Sequence, residues 1–305
     1  MQTRESFAAA LTQTSTRELP FLRPLLPAAG CFGYGEAYAG ILDVSLFGAV
    51  VTRPITYRRR MVPQREGATV LPLPAGCLIA HPQTHPGLSS VLSQHRARWQ
   101  ALSVPLICHL SATDLEETRK AARRLDAETA VAALELGLPS THQGSDRTRA
   151  QSLVSAARRR FEKPLLVRLP LQGALDLAPV CVQAGADALV ATAPPQGALR
   201  DPAYGHRIHG DLYGPWVKAQ VLPLVEELRQ LVPVPIVACG GVHSLTDVRE
   251  YLAAGAIAVQ IDSLLWRDPA TVASLVEEIN AEWDDPAATV ARATLTRDRD
   301  GPTVD

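Results

Sequence analysis

From residue 47 onward, short apolar runs alternate with stretches whose apolar residues recur at helical spacing. The runs at 47–52, 104–110, 130–136, 165–169, 187–191, 235–239 and 256–261 have the length and β-branching of buried strands. Between them, 87–102, 112–125, 147–161, 174–184, 216–231 and 244–254 carry the spacing of amphipathic helices, and a last helix is expected over 269–283. Thr113, three residues before Glu116, is expected to cap the second helix. Ser244, three before Asp247, is expected to cap the sixth. Seven strands thus alternate with helices, and a short eighth would fit within 194–215. The pattern predicts an α/β fold, a single (β/α)8 TIM barrel, with a doubly wound sheet as the fallback. The barrel is assigned to 1–283, with residues 1–20 as a loosely packed lead-in and 284–305 as a polar, flexible tail.

The stretch 234–264 concentrates the signal. A buried run ends at Gly240-Gly241, a helix follows with Leu245, Val248, Tyr251 and Leu252 on one side, Gly255 stops it, and a second buried run follows. Tight turns at the carboxyl ends of adjacent parallel strands present backbone N–H groups that suit a phosphate. The same glycine pair would also serve simply to let strand and helix pack closely.

Composition narrows the function. With 47% hydrophobic and 20% charged residues and a net charge of −1, the chain has no electrostatic footprint for nucleic acid or a membrane surface. No run is long enough to span a bilayer and no signal-peptide pattern opens the chain. Five scattered cysteines without a Cys-x-x-Cys pair give no disulfide framework, zinc site or iron–sulfur cluster, and suit a reducing cytoplasm. His81 and His85 bracket Pro82, which spoils helical ligand spacing, so no metal is expected there. Arginine dominates over three lysines (Lys120, Lys163, Lys218), and Asn280 is the single asparagine. No lysine sits at the carboxyl end of a predicted strand, which excludes a Schiff-base aldolase.

Residues 25–35, Leu-Leu-Pro-Ala-Ala-Gly-Cys-Phe-Gly-Tyr-Gly, bring three glycines into a short segment where backbone can approach a ligand. Residues 54–86, rich in proline and carrying Tyr57-Arg58-Arg59-Arg60, form a long excursion above the first predicted strand. Together with Leu-Phe-Gly-Ala-Val-Val-Thr at 46–52, Pro-Ala-Gly-Cys-Leu at 74–78, Gly-Ala-Asp-Ala-Leu at 185–189, Gly-Pro-Trp-Val-Lys at 214–218 and the stretch 236–260, the segment 27–35 resembles the dihydroorotate dehydrogenases, FMN-dependent TIM barrels. The resemblance covers roughly residues 21–280. It implies FMN above the barrel, held by Ala29, Gly30, Thr52, Arg53, Arg168, Gly214, Gly240, Gly241 and Ser263. It also implies hydride transfer from substrate to flavin, with Ser140 in the position of the family's proton-abstracting Cys or Ser.

The departures fall where that chemistry sits. The family's Asn-x-Ser-Cys/Ser-Pro-Asn reads Gly137-Leu138-Pro139-Ser140-Thr141-His142, Ile79 and Ala193-Pro194 replace further asparagine positions, and His109 replaces another. Arg53 and Arg168 stand for lysines, and Asp262-Ser263 for Gly-Thr in the last phosphate turn. A carboxylate beside a phosphate is repulsive by roughly 1–4 kcal/mol unless it turns away or is neutralised. Each buried amide group that a polar substrate no longer meets costs about 1–3 kcal/mol, so these replacements together read as an abandoned orotate site. His109, Ser140 and His142 are the candidate catalytic residues, although His142 would face Ser140 only if the segment is a loop. The expectation is an FMN-dependent oxidoreductase acting on a small molecule other than dihydroorotate, anionic if the two arginines bind it, with a homodimer allowed. The rival is a non-catalytic barrel kept as a binding or subunit protein.

Overall fold

The computed structural model describes residues 17–38, 40–60, 69–80, 85–139, 146–201 and 205–284. Eight parallel strands form one sheet: β1 (Leu25–Pro27), β2 (Val50–Val51), β5 (Leu106–Ser111), β6 (Val131–Gly137), β7 (Leu165–Leu169), β8 (Ala188–Ala191), β11 (Ile236–Cys239) and β12 (Ala258–Ile261). They run in the order β1-β12-β11-β8-β7-β6-β5-β2. The two ends of this sheet meet, because Gly48 N donates to Leu25 O at 2.8 Å and Leu22 N to Gly48 O at 3.0 Å. A Cβ at Gly48 would lie 1.9 Å from Arg23 O, so only glycine lets the seam close. The result is the predicted (β/α)8 barrel. Strands such as β7, buried at every residue, are covered on both faces, and this is why they read as unbroken apolar runs.

The eighth barrel strand is not in 194–215 but at Leu25–Pro27, inside the segment read as a glycine-rich ligand approach; Leu25 pairs with Val259. The stretch 194–215 instead holds two antiparallel strands, β9 (Gln196–Arg200) and β10 (Arg207–Tyr213). The 54–86 excursion holds the hairpin β3 (Thr69–Leu73) and β4 (Gly76–Ala80). These four make a second sheet, ordered β3-β4-β10-β9. Both insertions leave from carboxyl ends of barrel strands, which sets this sheet beside that rim.

The outer layer comprises α1 (Leu88–Gln100), α2 (Leu115–Asp126), α3 (Arg147–Arg158), α4 (Ala174–Gln183), α5 (Lys218–Leu231), α6 (Leu245–Ala253) and α8 (Pro269–Asp284), with a one-turn α7 (Ser263–Arg267) directly after β12. Asp114, not Thr113, caps α2. Its carboxylate accepts from Glu116 N and Glu117 N, both at 2.9 Å, and its one-residue shift places the helix start after the expected position. Ser244 caps α6 as expected, accepting from Asp247 N at 3.2 Å. No helix among the described residues is long and apolar enough to cross a membrane. Asp284, assigned to the tail, is the last residue of α8; the rest of the assigned tail and most of the lead-in lie outside the described residues.

Candidate functional site

Four strands send polar side chains into the barrel near its carboxyl end, where an apolar interior would be the default. Glu135 on β6 and Gln260 on β12 are fully buried, and Arg168 on β7 and His109 on β5 nearly so. Glu135 Oε1 accepts from His109 Nδ1 at 2.7 Å and from Arg168 Nε at 2.8 Å, while Oε2 accepts from Gln260 Nε2 at 2.7 Å. Arg168 Nη2 donates to Gln260 Oε1, and Nη1 to Thr192 O at 3.0 Å and Cys239 Sγ at 3.2 Å. Burial alone would push the Glu135 carboxyl up; the Arg168 guanidinium and the His109 contact outweigh it and hold that carboxyl well below its ordinary range. Arg168 therefore serves the protein's own carboxylate, with its donors aimed at protein acceptors rather than at a ligand.

Glu135 and Gln260 are absent from the residues that the sequence singles out. The available signal is a charge inside Ala-Ala-Leu-Glu-Leu-Gly, since a carboxylate in a buried run must be paired.

With Glu135 ionised, His109 Nδ1 carries the hydrogen of that bond, and in the neutral imidazole Nε2 is then the acceptor nitrogen. Among the described residues nothing bonds Nε2, and the ring lies against the α-carbon of Gly137. A Cβ at Gly137 would fall 2.6 Å from Nε2 and 2.9 Å from Cε1. Glycine at 137 and histidine at 109 are thus one arrangement: the imidazole takes the space of any side chain at 137. Thr52, fully buried at the end of β2, accepts from His109 N at 3.0 Å and fixes the strand that carries the ring.

The second cluster lies at the turns after β11 and β12, neighbours through the pair Cys239↔Gln260. Gly240 and Gly241 are at the carboxyl face as expected, with φ of +126° and +69°. The close-packing role of the pair is visible. A Cβ at Gly241 would lie 2.3 Å from Lys218 N at the start of α5, and Gly240 O accepts from Tyr251 Oη at 2.7 Å. Asp262 caps the one-turn helix α7, accepting from Ser263 N and, at 3.0 Å, from Ser263 Oγ. His243 Nε2 lies 3.2 Å from the same Oγ and ties the two turns together. Burial pushes the Asp262 carboxyl up from its ordinary value, and the Ser263 donors oppose it only in part. Burial and the nearby Arg267 hold His243 below the usual imidazole value.

His243 Nδ1 is buried without a hydrogen-bond partner among the described residues. A phosphate monoester, with acceptor oxygens and a protonatable one, would complete a ring atom in that state in either tautomer. The two turns therefore fit the flavin phosphate that the sequence resemblance implies, provided the Asp262 carboxylate gives up Ser263.

The other expected residues are less closely grouped. Ala29 and Gly30 follow β1; Gly30 N reaches Thr52 O at 3.4 Å, and only Pro54 Cδ, at 4.0 Å, approaches a Cβ placed there. Arg53 is exposed, its guanidinium 6.0 Å over the Tyr34 ring, in a setting unlike that of the enclosed Arg168. Gly214 packs on the β3–β4 turn, where a Cβ would lie 2.9 Å from Ala75 O. Ser140 and His142 lie outside the described residues. A hollow of about 410 Å³ at the N-terminal ends of α2 and α3 is lined by Thr113, Asp114, Asp146 and Arg149. Its two carboxylates cap their own helices, so it is no rival to the barrel mouth.

Comparison with known proteins agrees with this layout. The profile of the family described as Dihydroorotate dehydrogenase matches residues 11–283. The catalytic subunit of dihydroorotate dehydrogenase B (NAD(+)) from Geotalea uraniireducens (strain Rf4) is 31% identical over 269 residues, covering 83% of this chain and 87% of that protein. The corresponding subunit from Anoxybacillus flavithermus (strain DSM 21510 / WK1) is 31% identical over 284 residues, covering 88% and 90%. That from Oceanobacillus iheyensis is 28% identical over 277 residues, covering 84% and 88%. With its barrel, its polar inner layer and its paired carboxyl-face turns, the chain belongs to the dihydroorotate dehydrogenase family.

Proposed function

We propose that this chain is an FMN-dependent oxidoreductase whose substrate is a small molecule other than dihydroorotate. The family is one of FMN-dependent flavoproteins, and the cofactor, when bound, supplies a hydride acceptor. The residues proposed to hold it are Ala29, Gly30, Thr52, Arg53, Gly214, Gly240, Gly241 and Ser263 with His243, while Arg168 supports the layer below through Glu135. Cytoplasmic location, a homodimer and an anionic substrate are further parts of the proposal.

The single observation that carries the substrate reading is the His109 ring over Gly137, locked by Glu135 at 2.7 Å. An amide side chain at 137 would meet that ring, so the space for gripping a planar amide-rich ring there is closed. In its place stands an imidazole nitrogen without a partner among the described residues. His109 Nε2 can take a proton from a substrate carbon or heteroatom and return it to water, with Glu135 stabilising the imidazolium through Nδ1. Ser140, with His142 two residues on, is proposed by its position after β6 to take the proton from the substrate carbon, which leaves His109 Nε2 the proton of a substrate heteroatom.

The test is direct. Purified protein reconstituted with excess FMN should form no orotate from dihydroorotate with artificial electron acceptors. Robust turnover that Ser140→Ala abolishes would overturn the reading and restore the ancestral substrate.

A further inference from the structure

The turn after β12 already holds a carboxyl group of its own. Asp262 is 6% exposed, its side chain turned onto Ser263 N and Oγ, the two donors of the first residue of α7. Helix starts after the last strands of such barrels are where phosphates bind, through those same donors. The other side of the turn is supplied by His243, joined to Ser263 Oγ at 3.2 Å and carrying the unpartnered Nδ1. The enclosed Arg168 is committed to the Glu135 carboxylate and does not neutralise Asp262 through an ion pair of its own.

We propose that Asp262 is a resident anion in the phosphate turn of the cofactor site and competes with the FMN phosphate for Ser263. The proposal rests on the flavin reading above. It makes Asp262 a specificity-determining residue: the site gains little from the phosphate, so riboflavin binds about as well as FMN. Asp262→Gly frees Ser263 N and Oγ for phosphate and removes the like charge, whereas Asp262→Asn keeps an acceptor beside Ser263 and removes the charge alone; both changes tighten FMN but leave riboflavin unchanged.

The experiment is flavin-fluorescence titration of apoprotein with FMN and with riboflavin, for wild type, Asp262→Asn and Asp262→Gly. Circular dichroism confirms folding in each case, and Asp262→Asn, close in shape, covers a failure of the glycine variant to fold. Wild type should bind the two flavins within about threefold of each other. The variants should bind FMN at least about tenfold more tightly and riboflavin within about twofold of wild type. Wild type preferring FMN by more than about tenfold, or variants with unchanged FMN affinity, overturns the role of Asp262 while leaving the flavin reading standing. Folded proteins that bind neither flavin in any variant overturn both.

Discussion

Adding one methyl group at Gly137 tests whether the inner layer is as tightly assembled as its distances indicate. In Gly137→Ala the new Cβ would lie 2.6 Å from His109 Nε2, against an ordinary contact beyond 3.4 Å. The imidazole must therefore retreat by about 0.8 Å. Its Nδ1 is held 2.7 Å from Glu135 Oε1, and a retreat of that size pulls the bond out of range. Breaking a hydrogen bond to a charged group costs about 1.5–3 kcal/mol, and overpacking a filled interior about 1–3 kcal/mol. The two overlap, because moving the ring relieves the clash, so a loss of about 2–4 kcal/mol is expected. Equilibrium urea unfolding, followed by far-UV circular dichroism and tryptophan fluorescence to verify coincident transitions, should show the midpoint falling by about 1 M. The decisive arm is a double-mutant cycle: in a His109→Ala background the same Gly137→Ala change should cost less than about 0.5 kcal/mol. Additive losses in the two backgrounds would refute the reasoning, as they would mean that the ring does not occupy that space.

Two further outcomes follow from the same layer. Arg168→Met strands the buried Glu135 carboxylate and should cost about 3–5 kcal/mol, seen as a fall of roughly 10 °C in melting temperature, with Arg168→Lys intermediate; a Met variant as stable as wild type would contradict the pairing. Glu135 has a folded-state pKa below its unfolded value of about 4.3, so its contribution is present above that value and lost as pH falls through the folded one. Guanidinium midpoints at pH 7 and pH 3 should therefore differ less for Glu135→Gln than for wild type, and equal acid sensitivity in the two proteins would dismiss the assignment.

What can be read from the sequence follows from how strongly each element is buried. Strands such as β7, apolar at nearly every position and closed by a glycine turn or a helix cap, are legible to within a residue or two. β1 escapes because three residues, Leu25–Pro27, followed by two alanines and then a glycine-rich stretch, carry no period of their own; a partner near the far end of the chain makes them a strand. The hairpins of the second sheet are hidden by prolines and by alternation too short to stand out, as in Thr-Val-Leu-Pro-Leu. At the site, the family motifs locate the carboxyl-face turns, and Asp262 stands out as a charge in a phosphate turn. Its direction is not legible, since a cap geometry that turns the carboxylate onto Ser263 depends on three-dimensional burial. Arg168 reads in sequence as facing a ligand; its partner, Glu135, lies on the neighbouring strand, and strand neighbours across a barrel cannot be counted from spacing.

The pairing of β1 with β12 has a consequence for how the chain is made. Leu25 finds its partner at Val259, and Leu78 of the hairpin finds Leu212, so neither the first strand nor the β3–β4 hairpin can complete its pairing when it leaves the ribosome. Synthesis runs at about 5–20 residues per second, which leaves apolar edges waiting for roughly ten seconds or more while later strands are added. Closure is therefore a late, long-range event, slow for reasons of loop entropy rather than of local structure. A protein built this way depends during its birth on whatever shields an open sheet, and its yield in a cell is set as much by that interval as by the stability of the finished barrel.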